Sequence, residues 1–227
     1  MFYYDSTILI LIPSLIIAGL AQAKVSSSFQ KYSRVQSYNN YTGAQVARML
    51  LDHKGLQSVP IELIEGKLSD HYDPRTKTLR LSKDVYYSTS IASIGVAAHE
   101  TGHAMQDLEK YSPLVIRNSI VPVVNFSSSA SWILFIMGIF FSMPRLLSIG
   151  IILFSAVVLF QVITLPVEFN ASKRALIMLK DNRILYENEI IGAKKVLDAA
   201  AMTYVAAALT AISQLIRLIL ISNRNNN

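Results

Sequence analysis

The chain contains no cysteine. That excludes disulfide staples and thiolate metal sites, and says nothing about the compartment in which the chain works. Charge is also scarce. Asp, Glu, Lys and Arg make up 16% of 227 residues, against about 25% in ordinary soluble domains. Hydrophobic residues reach 52%, and they are gathered in blocks. Residues 7–23, 119–141, 146–167 and 199–221 each form a run long enough to cross a bilayer as a helix. The first is preceded by Asp5 and by no Lys or Arg, so it lacks the basic leader of a cleaved signal peptide and reads as a retained span. Only SMPR separates the second from the third, which suits a tight helical hairpin. The fourth is weakened by Gln214 and Arg217, although an arginine near the end of a span can snorkel to the interface. The fold class expected is a multi-pass α-helical membrane protein with a small α+β polar domain.

The remaining segments, 24–112 and 168–198, emerge on one side of the membrane if the hairpin forms. All but Arg145, Arg217 and Arg224 of the Lys and Arg residues lie between Lys24 and Lys195, and many flank helix ends, among them Lys31, Lys110, Lys173 and Lys194. The excess of positive charge near span ends predicts that this side is cytoplasmic and that both termini lie outside. The net charge of +6 therefore needs no nucleic-acid partner, because basic residues beside spans face anionic lipid headgroups. Asn40-Tyr41-Thr42 fits a glycosylation pattern, but a cytoplasmic segment never meets that machinery.

Within the polar part, residues 42–55 have the pattern of a short amphipathic helix. Thr42 and Gln45 stand at capping-box spacing, Val46, Met49 and Leu50 share a face, and Gly55 follows the end. IELIE after Pro60 alternates as a strand does. LSDHYDPRTKTLRLS reads as a hairpin turning at Asp73-Pro74, with Leu79 and Leu81 on one face. A helix is predicted from about Ser88 to Asp107. No internal repeat is apparent, and the NRNNN tail is a polar tract expected to be disordered.

That last helix carries AAHETGHAM. His99 and His103 are four residues apart and so project from one helical face, where two imidazoles can share a tetrahedral Zn²⁺. Glu100 can then reach a water activated by the metal and take its proton as the water attacks a carbonyl. Chance produces this motif in roughly one chain in a hundred of this length, so two surface histidines on an amphipathic helix is the weaker reading. A hydrolytic site usually needs a third protein ligand. His53 falls in the last turn of the 42–55 helix, where the helix dipole accounts for it. Glu168 stands out where the third span ends; an ordinary interfacial glutamate is the alternative. Glu187, Glu189 and Asp198 are rivals in a charged stretch typical of a solvated helix face.

Over nearly its whole length the chain resembles the YugP-like membrane neutral zinc metallopeptidases. The resemblance rests on FYYDSTILILIPSL, TGAQVAR, LSDHYDPRTKTLRLS, GVAAHETGHAMQ, LFQVITLPVEFNASKRAL and TYVAAALTA. It implies a zincin-like polar domain, zinc held by His99 and His103, catalysis by Glu100, and a place in the bacterial inner or cell membrane. A looser similarity to HtpX-like and CAAX-prenyl-protease-like enzymes, of gluzincin type, makes Glu168 the third ligand. Those relatives have Asp where this chain has Ser172, so orientation of a ligand is expected to fall to Asn170 or Arg174. His71 or Tyr72 could stabilise an oxyanion beside a substrate paired with the edge strand; the alternative is that both are ordinary strand residues. The polar residues Asn125, Ser127, Ser128, Ser129 and Ser131 in the second span fit helix–helix contacts.

The function expected is an endopeptidase acting on protein or peptide substrates at the membrane. A site-2-type intramembrane protease also uses H-E-x-x-H, but there the motif lies inside a span, and here its apolar surround is too short to cross a bilayer. A non-catalytic zinc-binding scaffold or transporter is the third reading, and the first three spans lack the buried charges that would favour it. Substrate, cleavage specificity and oligomeric state have no signature in the sequence.

Overall fold

The computed structural model describes residues 6–225, apart from the side chain of Asn225. The polar tail expected at 223–227 enters the last helix as far as Asn225; Asn226 and Asn227, like Asp5, lie outside the described residues. Among the described residues, seven α-helices and three strands follow in the order α1 (Leu11–Tyr32), α2 (Gly43–His53), β1 (Ile61–Ile64), β2 (His71–Asp73), β3 (Thr78–Ser82), α3 (Lys83–Tyr86), α4 (Ile91–Leu108), α5 (Ser112–Phe140), α6 (Pro144–Asp181) and α7 (Glu187–Asn225). The chain divides into two compact units. One holds the residues up to Gln22, Val115–Pro166 and those from Thr203. The other holds Ala23–Leu114 and Val167–Met202.

Four helical stretches, Ser6–Tyr32, Ser112–Phe140, Pro144–Asp181 and Glu187–Arg224, are long and apolar enough to cross a membrane. In their most apolar windows only 11–22% of the residues are buried. The apolar side chains therefore face outward, as a lipid solvent requires and water would not allow. In the first unit, α5 and α6 approach closely at glycines. A Cβ on Gly150 would lie 2.9 Å from the Ser131 carbonyl oxygen, and one on Gly138 would lie 2.8 Å from the Leu147 nitrogen. Small residues at such crossings let helix backbones touch where no hydrophobic effect drives them together. Ser127 and Ser131 are buried in that unit, and Ser131 returns its hydroxyl to the Ser128 carbonyl of its own helix.

The second unit is built around α4. Thr42 and Gln45 complete the capping box that starts α2, and Gly55 at φ +76° ends it in the left-handed region. The sheet runs β1-β3-β2: β2 is antiparallel to β3, as a hairpin requires, while β1 pairs parallel with β3 in the register Ile61↔Leu79. Lys77 at φ +53° closes the hairpin turn. Leu79 and Leu81 are fully buried, each stabilising the fold by about 1.5–3 kcal/mol through burial alone. Ser90 caps α4 by accepting the Ser93 amide. One face of α4 (Ile91, Ile94, Ala98, Met105) packs with Val46, Leu50, Ala175, Leu179 and Leu197. Its other face (Ala97, Ala104) packs with Leu51, Leu79, Leu81 and Val85. A helix covered on both sides must be rich in small residues, and α4 is.

Candidate metal centre

The third and fourth turns of α4 bring His99 and His103 onto one face, with their rings 4.7 Å apart and crossed at 87°. From α6, Glu168 reaches the same point. Its Oε2 lies 3.3 Å from His99 Nε2 and 3.5 Å from His103 Nε2. Four ligands at about 2.0–2.1 Å from a tetrahedral zinc are separated by roughly 3.3 Å along each edge. The two measured edges match that spacing, and all three donor atoms lie within 4.8 Å of one another. The donor set, two imidazoles and one carboxylate, is also the chemistry zinc takes in hydrolytic sites. The residues present therefore fit the ion.

Glu168 is only 3% exposed, and a carboxylate so deeply buried is costly unless positive charge faces it. His103 responds to it. Burial opposes protonation of that ring, yet the Glu168 carboxylate and the Glu100 charge outweigh burial and raise its pKa above the ordinary value. The pocket is thus arranged to hold a cation.

Gly102 allows the two helices to meet. A Cβ there would lie 2.7 Å from the Ala171 carbonyl oxygen and 3.3 Å from its Cα. Only glycine lets α4 come near enough to α6 for Glu168 to reach both histidines. A glycine inside a helix costs about 1 kcal/mol relative to alanine, which is itself a signal of close packing.

Each histidine is held from behind. His99 Nδ1 is 3.1 Å from the Ser172 hydroxyl. The serine standing in place of an expected carboxylate thus makes a neutral contact of its own, alongside Asn170 and Arg174, which the sequence also named as candidates. His103 Nδ1 is 3.0 Å from Gln106 Oε1. Asn170 and Arg174 are involved one step further out: Gln106 Nε2 donates to Asn170 Oδ1 at 3.0 Å and to the Val167 carbonyl at 2.8 Å, and Arg174 Nε donates to Asn170 Oδ1 at 2.7 Å. Gln106 was missed in the sequence. It is fully buried and sits three residues beyond His103, and a polar residue at that offset on the apolar side of a helix was the available clue.

Glu100 is buried and accepts the Tyr72 backbone amide at 3.0 Å. Tyr72 faces Leu79, whose own amide is directed to the Pro60 carbonyl, so the Tyr72 amide points away from the ladder and toward α4. β2 is an edge strand whose outer side faces Glu100 of α4. The phenol of Tyr72 is turned elsewhere, donating to Asp107 at 2.7 Å, and Lys77 also binds that carboxylate. Burial, and then Asp107, raise the phenol's pKa above its usual value. His71 is half-buried; its Nδ1 lies 2.8 Å from the Ser69 carbonyl, which can only accept, so the neutral ring presents a bare Nε2. His53 ends α2. Among the rivals for third ligand, Glu189 accepts the Tyr38 and Tyr186 amides and Asp198 pairs with Lys194.

Comparison with known proteins follows the same lines. Residues 7–223 match the model of a family described as "Putative neutral zinc metallopeptidase". The chain is 51% identical over 201 residues to the protein named "Putative membrane protease YugP" of Bacillus subtilis (strain 168), an alignment covering 88% of this chain and 89% of the relative. No solved structure matches.

Proposed function

The chain belongs to the neutral zinc metallopeptidase family, and from that membership we propose a membrane-embedded, zinc-dependent endopeptidase with a zincin-like domain. His99, His103 and Glu168 hold the ion. When bound, zinc supplies a Lewis acid that polarises the scissile carbonyl and makes a water acidic. Glu100, at its carboxylate, takes the proton from that water as the oxygen attacks, then passes it to the departing amine nitrogen. The Tyr72 amide keeps that carboxylate in place between the two transfers. Substrate backbone adds to the outer side of β2 at the Tyr72 carbonyl, since Glu100 takes the Tyr72 amide, and His71 stabilises the oxyanion. The polar unit lies in the cytoplasm, by the positive charge flanking its span ends.

The observation that carries this reading is the triangle of donors, with edges of 3.3 and 3.5 Å to a buried carboxylate, directly beside an amide-held glutamate. The site-2-type alternative is disfavoured because α4 is not among the four helices apolar enough to span a bilayer and instead forms the centre of the polar unit. Zinc content and cleavage of an unstructured protein substrate, measured on wild type and Glu100→Gln, test the proposal. Near-stoichiometric zinc in both and cleavage by wild type alone support it. Zinc in both with no cleavage by either points to a scaffold.

A further inference from the structure

We infer that Gln106, Asn170 and Arg174 form a hydrogen-bond relay of fixed polarity that dictates which nitrogen of His103 carries its proton, and so which nitrogen is presented to the zinc. The inference rests on the metal-site reading above and adds a device to it. The polarity follows from groups that have no choice. A guanidinium only donates, so the Asn170 atom 2.7 Å from Arg174 Nε is its oxygen. That oxygen is also 3.0 Å from the Gln106 side chain, which therefore turns its NH₂ toward it. The same NH₂ is 2.8 Å from the Val167 carbonyl, a group that only accepts. Two independent acceptors thus fix the Gln106 amide, and its oxygen is left facing His103 Nδ1 at 3.0 Å. In the neutral ring that binds a metal, Nδ1 must carry the proton, and Nε2 keeps the lone pair on the side of Glu168.

Arg174 is itself secured, paired with Glu109 at 2.7 Å and lying over the Tyr111 ring at 5.9 Å. Since Gln106 is fully buried, water cannot replace any member of its contacts. The relay begins on α6 and ends on α4, so it also ties the His103 ring to the helix that carries Glu168. His99 has no such constraint. Its partner is the Ser172 hydroxyl, which can donate or accept.

The test is the equilibrium zinc affinity of the purified full-length protein, measured by chelator competition on variants matched in size but not in polarity. Gln106→Met should weaken zinc binding by about 10–100-fold, the usual loss when the group behind a metal-bound histidine is removed. Asn170→Leu should weaken it by a smaller factor, and Asn170→Asp, which still accepts from both neighbours, should stay within about 3-fold of wild type. In the zinc-loaded protein labelled with ¹⁵N-histidine, the His103 Nδ1 proton should resist solvent exchange in wild type and Asn170→Asp and be lost to exchange in Gln106→Met. A packing role would instead make Asn170→Leu and Asn170→Asp alike. The relay is overturned if those two variants are equal in affinity, or if Gln106→Met binds zinc as wild type does. Failure of wild type itself to bind zinc would overturn the metal site, not the relay alone.

Discussion

Replacing Gly102 by alanine adds one methyl group and should open the metal site. The new Cβ would stand 2.7 Å from the Ala171 carbonyl oxygen, a backbone atom that cannot rotate away. Relieving the contact to an ordinary distance requires α4 and α6 to part by roughly 0.5 Å or more, whereas metal–ligand distances tolerate only about 0.2 Å. Glu168 travels with α6 and both histidines with α4, so the whole displacement falls on the ligand triangle. Overpacking costs about 1–3 kcal/mol, and the gain in helix propensity returns up to about 1 kcal/mol. The net loss of stability is therefore modest, on the order of 0–3 kcal/mol. Zinc affinity should fall much more visibly, by at least about 10-fold, in the range seen when ligand orientation is disturbed. Chelator competition on the purified variant, with thermal unfolding alongside, measures both. A Gly102→Ala protein that binds zinc as tightly as wild type would refute the claim that this glycine sets the helix spacing.

Three other outcomes are expected. His71→Ala should slow peptide cleavage while leaving bound zinc unchanged; a variant that purifies without zinc would make His71 a ligand or a structural residue. Reporter fusions within residues 180–195 should report cytoplasm and a fusion after Arg224 should report the outside, and a cytoplasmic C-terminal signal would reverse the topology. In the hairpin, the Arg75 amide, then against burial Thr76 and Arg80, hold the Asp73 carboxyl at about 2. A pKa depressed below the unfolded value stabilises the fold above about pH 4, and that contribution is lost as pH falls from about 4 to about 2. The difference in thermal midpoint between wild type and Asp73→Asn should accordingly be constant above pH 5 and vanish near pH 2, and a difference that stays flat contradicts the assignment.

What the sequence disclosed was whatever depends on short-range spacing. The histidine pair is legible because a helix places residues four apart on one face, and the α2 capping box because its two bonds span three residues. Leu79 and Leu81 announce their burial by alternation. Pairing between distant segments leaves no such trace. The parallel match of β1 to β3 joins segments that share no local pattern. Gln106 could not be connected to Asn170 across 64 residues. The hold on Glu100 comes from a backbone amide, which every residue but proline carries, so no residue type at position 72 could have announced it. Ser172 was only partly legible for a related reason: its missing charge could be read, but its 3.1 Å approach to His99 depends on how closely Gly102 lets the helices come.

The central claim, that Glu168 ligates zinc while Glu100 moves protons, is tested most directly by elemental analysis of zinc in Glu100→Gln and Glu168→Gln, with cleavage measured on the same samples. Glu100→Gln should retain near-stoichiometric zinc and lose about 10²–10⁴-fold in activity. Glu168→Gln should lose activity together with most of its zinc. Wild-type zinc in Glu168→Gln, with the metal lost instead from variants of Glu187, Glu189 or Asp198, would contradict the account.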